Sequence, residues 1–143
     1  MSLKDTEISS AQVKKDIQIP EVTDVEIAVV YEFNNEYKTD DWNIYIINKK
    51  KVDLELVVIV SQGFNETKAT SILRKKLDKL AANSFAKVEF IQPELLKLHN
   101  RFHVTFFVGN TLHEKTFLFQ KDTVKEGALR MIPELKKRGI LAE

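Results

Sequence analysis

Apolar and polar residues alternate along most of the chain with a period of two, the spacing that sets every second side chain on one face of a β-strand. The densest such stretch runs from Asp41 to Phe64. Trp42, Ile44 and Ile46 alternate with Asn43, Tyr45 and Ile47. After the lysine-rich turn from Asn48 to Asp53 the pattern resumes at Leu54, Leu56, Val58 and Val60. This predicts a central pair of strands packed on a core through those residues. The interleaved Val57 and Ile59 are apolar too, which predicts that part of the second strand is covered on both faces.

Upstream, Val25, Ile27, Val29, Tyr31 and Phe33 alternate with Asp24, Glu26, Ala28, Val30 and Glu32, a strand with one wet face. Residues 1–19 show no sustained period and read as a mobile arm ended by Pro20. Downstream, Ala86, Val88 and Phe90 mark an extended segment that Pro93 stops, with a short helical turn expected near Leu95–Leu98. Phe102, Val104, Phe106 and Val108 form the strongest strand, and Gly109-Asn110 signals a hairpin returning over Leu112 to Gln120. Its register has two solutions. A two-residue turn sets Lys115 opposite Val104. A three-residue loop sets Leu112 and Leu118 opposite Val108 and Phe102, which suits the hydrophobic pattern better but wants Gly or Asn at Thr111.

Two segments are less regular. Between Lys68 and Leu80, Ala69, Ile72, Leu73, Leu77 and Leu80 could line one face of a helix. Thr67, Thr70 and Ser71 favour extended structure there. A strand is the expectation; a helix at about 66–82, giving an α+β fold, is the alternative. The tail from 126 to 143 carries Met131, Ile132, Leu135, Ile140 and Leu141, broken at Pro133 and Gly139. It reads as a short helix or an extended strap packed on the domain.

About seven short strands at roughly ten-residue spacing predict an all-β fold, an immunoglobulin-like β-sandwich over residues 20–125. The single Trp42, at the start of a central strand, suits such a core. At 143 residues, with 43% apolar and 30% charged residues, the chain fits one domain that buries roughly 70% of its unfolded surface. No run approaches the ~18 apolar residues of a membrane span. The first sixteen residues lack the apolar segment of a secretory signal. The absence of cysteine removes disulfides, thiolate metal sites and cysteine nucleophiles, and accords with a cytoplasmic location.

Charge is unevenly spread. Residues 1–40 carry four lysines against nine carboxylates, a net −5, which leaves +6 on the other 103 residues of a chain whose total is +1. The simplest reading places an acidic first strand beside basic neighbours in the same sheet; the other gives the basic remainder an acidic partner.

The segments YIINKK, VVIVSQGF, NSFAKVEFIQPE, FHVTFFVGNTLHEKTFLF and GILAE together resemble a family of short, uncharacterised bacterial proteins, some of them labelled phenylalanyl-tRNA synthetase alpha subunit. The resemblance spans about residues 16–143 and favours a strand at 68–80. Its motifs are strand and turn sequences, so it implies a relationship and no activity. The synthetase label implies an extensive ATP-binding sheet with a glycine-rich motif. This chain has four glycines, at 63, 109, 127 and 139, no two within eleven residues of each other. It is also too short for a catalytic subunit, and no synthetase residue carries over to it.

Candidate chemistry is sparse. His99, His103 and His113 lack the spacing of a metal site, and His103 and His113 face each other in neither hairpin register. Asp40 and Asp41 before Trp42 could pair for acid–base work, but such pairs more often sit in solvated turns. No nucleophile elbow, phosphate loop or dinucleotide fingerprint occurs. Three basic clusters remain: Lys49-Lys50-Lys51, Arg74-Lys75-Lys76 and Lys136-Lys137-Arg138. They could meet phosphates, with Tyr45, Phe64 or Phe85 stacking on bases. The near-neutral balance argues against a nucleic-acid domain. The expectation is therefore a non-enzymatic protein without cofactor or metal. It would bind a protein partner, or itself, through a strand edge or loop face. The alternative is a nucleic-acid-associated accessory protein using Lys49, Lys50, Lys51, Arg74, Lys75 and Lys76.

Overall fold

A computed structural model describes residues 21–143; the expected arm at 1–19 lies outside them. Among the described residues the chain forms nine strands: β1 (Val25–Asn34), β2 (Thr39–Asn48), β3 (Leu54–Phe64), β4 (Leu73–Leu80), β5 (Ser84–Ile91), β6 (His99–Val108), β7 (Thr111–Phe119), β8 (Arg130–Ile132) and β9 (Lys137–Leu141). They build two antiparallel sheets, in the orders β5-β2-β1-β9-β8 and β4-β3-β6-β7. The protein is an all-β sandwich. Seven strands follow an immunoglobulin-like order, with the β1–β2 hairpin and β5 in one sheet and β4-β3-β6-β7 in the other. The β8–β9 hairpin adds two more beside β1.

The core lies between the sheets. Ile27, Val29, Ile44 and Ile46 from one side meet Leu54, Val57, Ile59, Phe102, Val104 and Phe106 from the other. Burying each such side chain contributes about 1.5–3 kcal/mol before entropic costs. Trp42, 8% exposed, stacks on Tyr31 with ring centroids 4.4 Å apart. The connection before β6 contains the short helical turn the sequence predicts, a 3-10 helix over Pro93–Lys97.

β2 and β3, the two strands joined by the lysine-rich turn, lie in different sheets and meet across the core rather than as a hydrogen-bonded hairpin. Asn48 directs the crossover. Its side chain is buried, and Nδ2 donates to the carbonyls of Val52 (2.9 Å) and Ala81 (3.0 Å), while Oδ1 accepts from the Lys50 N–H (3.0 Å). These bonds replace the β-ladder that a hairpin would have continued.

The expected core face of β3 is also wrong beyond Leu54. Leu56 adopts φ = 50°, and the register against β6 shifts between Glu55 and Val58. This bulge inserts one residue and reverses the alternation. Val57 and Ile59 point into the core, Val58 and Val60 point outward, and Leu56 is exposed. A second irregularity, where β2 skips Val88 of β5, turns Ile91 inward and leaves Phe90 exposed.

Segment 68–80 is extended, with β4 from Leu73 and Leu80 buried; no helix forms at 66–82. The β6–β7 hairpin takes the two-residue turn: Val108 pairs with Thr111 and Val104 with Lys115. Turn geometry outweighs hydrophobic matching here. Gly109 has φ = +59° while Asn110 does not enter the left-handed region, the pattern of a type II′ turn. Lys115 is accommodated with its Nζ 5.0 Å from the Phe117 ring centroid.

The wet face predicted for β1 is covered. Ala28 and Val30 are buried in a small second core with Tyr45, Ile47, Ile132 and Leu135, because the tail folds back as a strap rather than a helix. β9 pairs with β1. Beyond it, Glu143 and Leu118 of β7 exchange two backbone hydrogen bonds of 3.0 Å, so the strap joins both sheets. Gly139 makes that close approach possible. A Cβ there would stand 2.5 Å from the Val29 carbonyl oxygen and 2.9 Å from Ile132 Cδ1. Gly139→Ala is therefore expected to lower unfolding stability by about 1–3 kcal/mol, read as a drop in the urea midpoint. An unchanged midpoint would mean that the strap yields freely.

Candidate interaction face and inter-sheet cleft

The basic residues singled out from the sequence do not form one patch. Lys49 is half-buried and lies 3.6 Å from Glu26 and 3.9 Å from Glu134. Lys50 and Lys51 occupy the corner that Asn48 organises. On β4, Lys76, Lys75 and Arg74 pair with Val58, Ile59 and Val60, so strand alternation separates them. Arg74 and Lys76 share the outer face, and Lys75 lies on the core side. Of the third cluster, Lys137 Nζ binds Glu32 Oε1 at 2.8 Å and Arg138 Nη2 reaches the Leu129 carbonyl at 3.5 Å. The acidic first strand is thus matched by Lys49 and Lys137, as the simplest reading of the charge asymmetry requires.

The aromatic candidates are similarly placed by the fold. Tyr45 is buried. Phe64 lies under the Arg101 guanidinium, 4.7 Å from its ring centroid. Phe85 is exposed and stands edge-on to Tyr45. Asp41 accepts hydrogen bonds from Asn34 Nδ2 (3.0 Å) and Thr39 Oγ1 (2.9 Å), which ties off the β1–β2 turn. His99 Nδ1 accepts from the Lys121 N–H, and His113 stacks on Phe106. Among the described residues no three His, Asp or Glu side chains converge as a metal site would need.

Two features among the described residues stand out as sites. The first is the outer face of the four-stranded sheet, where the pairing register lays out cross-strand rows. One row is Lys76, Val58, Thr105 and Glu114; the next is Arg74, Val60, His103 and Thr116; a third is Lys79, Glu55, Phe107 and Leu112. Leu56, beside the third row, and Leu112 are each 52% exposed. His103 bridges the β7 flank, with Nδ1 2.9 Å from Thr116 Oγ1 and Nε2 3.2 Å from Glu114 Oε1. An apolar stripe therefore runs between a basic flank on β4 and a flank carrying Glu114 on β7. The opposite sheet differs, because Ile132 and Leu135 cover the middle of its outer face. The signal for the stripe was the unbroken apolar run from Leu56 to Val60, once the bulge decides which of its members face out.

The second is a cleft of about 550 Å³ between the sheets, with Ser61, Glu89 and Asn100 among its polar lining and Leu73, Ile91, Leu95 and Phe102 among its apolar lining. Ser61 Oγ donates to Glu89 Oε1 at 3.2 Å. Burial raises the Glu89 carboxyl above the usual carboxylate range, against smaller lowering effects of Ser61 and Lys75. No single segment of sequence marks this site; β3, β5 and β6 assemble it.

Glu32 shows the opposite balance. Burial pushes it up, but hydrogen bonds from Lys137, Tyr45 (2.6 Å) and Asn43 (2.8 Å) outweigh that and hold it low. Burial and the bond to Glu32 push the Tyr45 phenol up. No helix among the described residues is long and apolar enough to cross a membrane. Compared with protein-family models, curated proteins and solved structures, the chain gives no significant match.

Three outcomes follow. A carboxyl held low in the folded state stabilises fully above its unfolded value, and that gain is lost as pH falls through the folded one. Glu32→Gln should therefore lower the denaturation midpoint at pH 7 and much less at pH 3. Glu89, raised on folding, opposes the fold when ionised, so Glu89→Gln should hold or raise the midpoint at pH 7. Equal Glu32→Gln effects at both pH values would place the network's strength outside the charge. The divided basic clusters predict that labelled single- and double-stranded oligonucleotides bind weakly at low salt and not at ~0.15 M. Micromolar binding at that salt, lost when Lys49, Lys50 and Lys51 become Glu, would instead establish a nucleic-acid site.

Proposed function

We propose that the protein is a non-enzymatic interaction module that associates with a second copy of itself through the outer face of the four-stranded sheet. The observation that carries this reading is the stripe of Leu56, Val58, Val60, Phe107 and Leu112, five apolar residues on an outer sheet face with Leu56 and Leu112 half exposed. Exposed apolar surface of this kind, rimmed by charge, marks association sites. The charge order across it supports a like partner. Lys76 and Glu114 end the same cross-strand row, so a two-fold axis through the middle of the row sets each lysine against the other copy's glutamate. Two of the segments that carry the family resemblance, VVIVSQGF and FHVTFFVGNTLHEKTFLF, supply most of this face.

Sedimentation equilibrium tests the reading. The chain is expected to dimerise in the micromolar range, and Val58→Asp to make it monomeric with its circular dichroism unchanged. Lys76→Glu and Glu114→Lys should each weaken the dimer, and the double exchange should recover most of the loss. A wild-type chain that stays monomeric at high concentration, or a dimer indifferent to Val58→Asp, would rule the face out as the contact.

A further inference from the structure

The inter-sheet cleft is separate from the sheet face and makes its own chemical demand. Glu89 pairs with Ile44 of β2 across the sheet and turns its carboxyl into the cleft, where Ser61 Oγ is its hydrogen-bond partner. Among the described residues no Lys, Arg or His comes within ion-pair distance of it; Lys75, the cation that acts on it, stays farther off. A half-buried carboxylate whose one hydrogen bond among the described residues comes from a neutral group is costly to keep ionised. Asn100 adds a second acceptor. Its Nδ2 donates to the carbonyls of Leu95 (2.8 Å) and Leu98 (3.1 Å), whereas its Oδ1 receives no hydrogen bond among the described residues.

We infer that the cleft binds a small organic cation, an alkylammonium or amidinium, with its charge against Glu89 and its apolar body along Leu73, Ile91 and Phe102. The volume of about 550 Å³ lies within the range of small-molecule sites, which are apolar clefts with a few convergent polar groups. Leu73 stands about half exposed beside the cleft, offering apolar surface at the point of entry. The unmatched carboxylate selects the sign of the ligand, because an anion would meet it directly and a neutral molecule would leave it unpaired.

The test is a titration of the full-length, ¹⁵N-labelled chain with n-butylammonium and benzamidinium chlorides, following the amides of Ser61, Gly63, Thr70 and Ile91. 1-Butanol and benzamide serve as neutral counterparts. Saturable shifts confined to the cleft are expected for the cations, with Kd near 1 mM as suits fragments of this size. The neutral probes should bind at least tenfold more weakly. Glu89→Gln should weaken cation binding at least tenfold, and Lys75→Met, which removes the competing charge, should strengthen it. Equal binding of neutral and charged probes to the wild-type chain would overturn the inference without any variant. So would full cation affinity in Glu89→Gln, or the absence of shifts at about 10 mM probe.

Discussion

The buried amide of Asn48 is the fixed point of the sandwich. It stands where the chain leaves one sheet for the other, and it binds backbone carbonyls from two of the crossovers: Val52 on the way from β2 to β3, and Ala81 on the way from β4 to β5. Neighbouring bonds reinforce the corner, with the Ala82 N–H on Asp53 Oδ1 and the Asn83 N–H on the Lys50 carbonyl. A side chain able to donate and accept at once is required, because the buried backbone groups at this corner have left the ladders and need partners. The sheet membership of β3 and of β5, on which the outer face and the cleft both draw, is set at this corner.

From that corner the two sheets acquire different environments. The strap β8–β9 closes one side, covers Ala28 and Val30, and reaches β7 through Glu143. On the other side β4 and β5 have no further strand paired to them among the described residues. The β4 edge carries Arg74, Lys75, Lys76 and Lys79 along eight residues, and the β5 edge is kinked at Val88. Both devices discourage uncontrolled edge pairing. The proposed self-association accordingly uses a sheet face rather than an edge.

Period-two alternation made the strands legible in the sequence, and with them the sandwich and the burial of Trp42. What it could not carry was parity. Leu56 enters the left-handed region without being glycine, and the resulting bulge exchanges the inner and outer sets of β3; nothing in the local sequence distinguishes LELVVIV with a bulge from LELVVIV without one. The β6–β7 register was decided by Gly109, a local steric preference that outweighed the better match of leucines. The cover on the outer face of β1 is not legible locally, because the residues that supply it, Ile132 and Leu135, lie about a hundred positions away. The cleft was hidden for the same reason. Ser61, Glu89 and Asn100 are unremarkable in three separate strands, and only the crossovers bring them together.

The pairing of β1 with β9 also sets an order of events during synthesis. Val29 meets Ile140, so an early strand must wait for one of the last. A nascent chain emerging from the ribosome can pair β1 with β2 and build the four-stranded sheet. Until β9 is released, however, it presents an open β1 edge and uncovered Ala28 and Val30. Contacts of such long sequence separation form late and slow folding. For that interval the half-made sandwich displays two apolar surfaces, one on each sheet, and the strap withdraws one of them from the crowd of other chains.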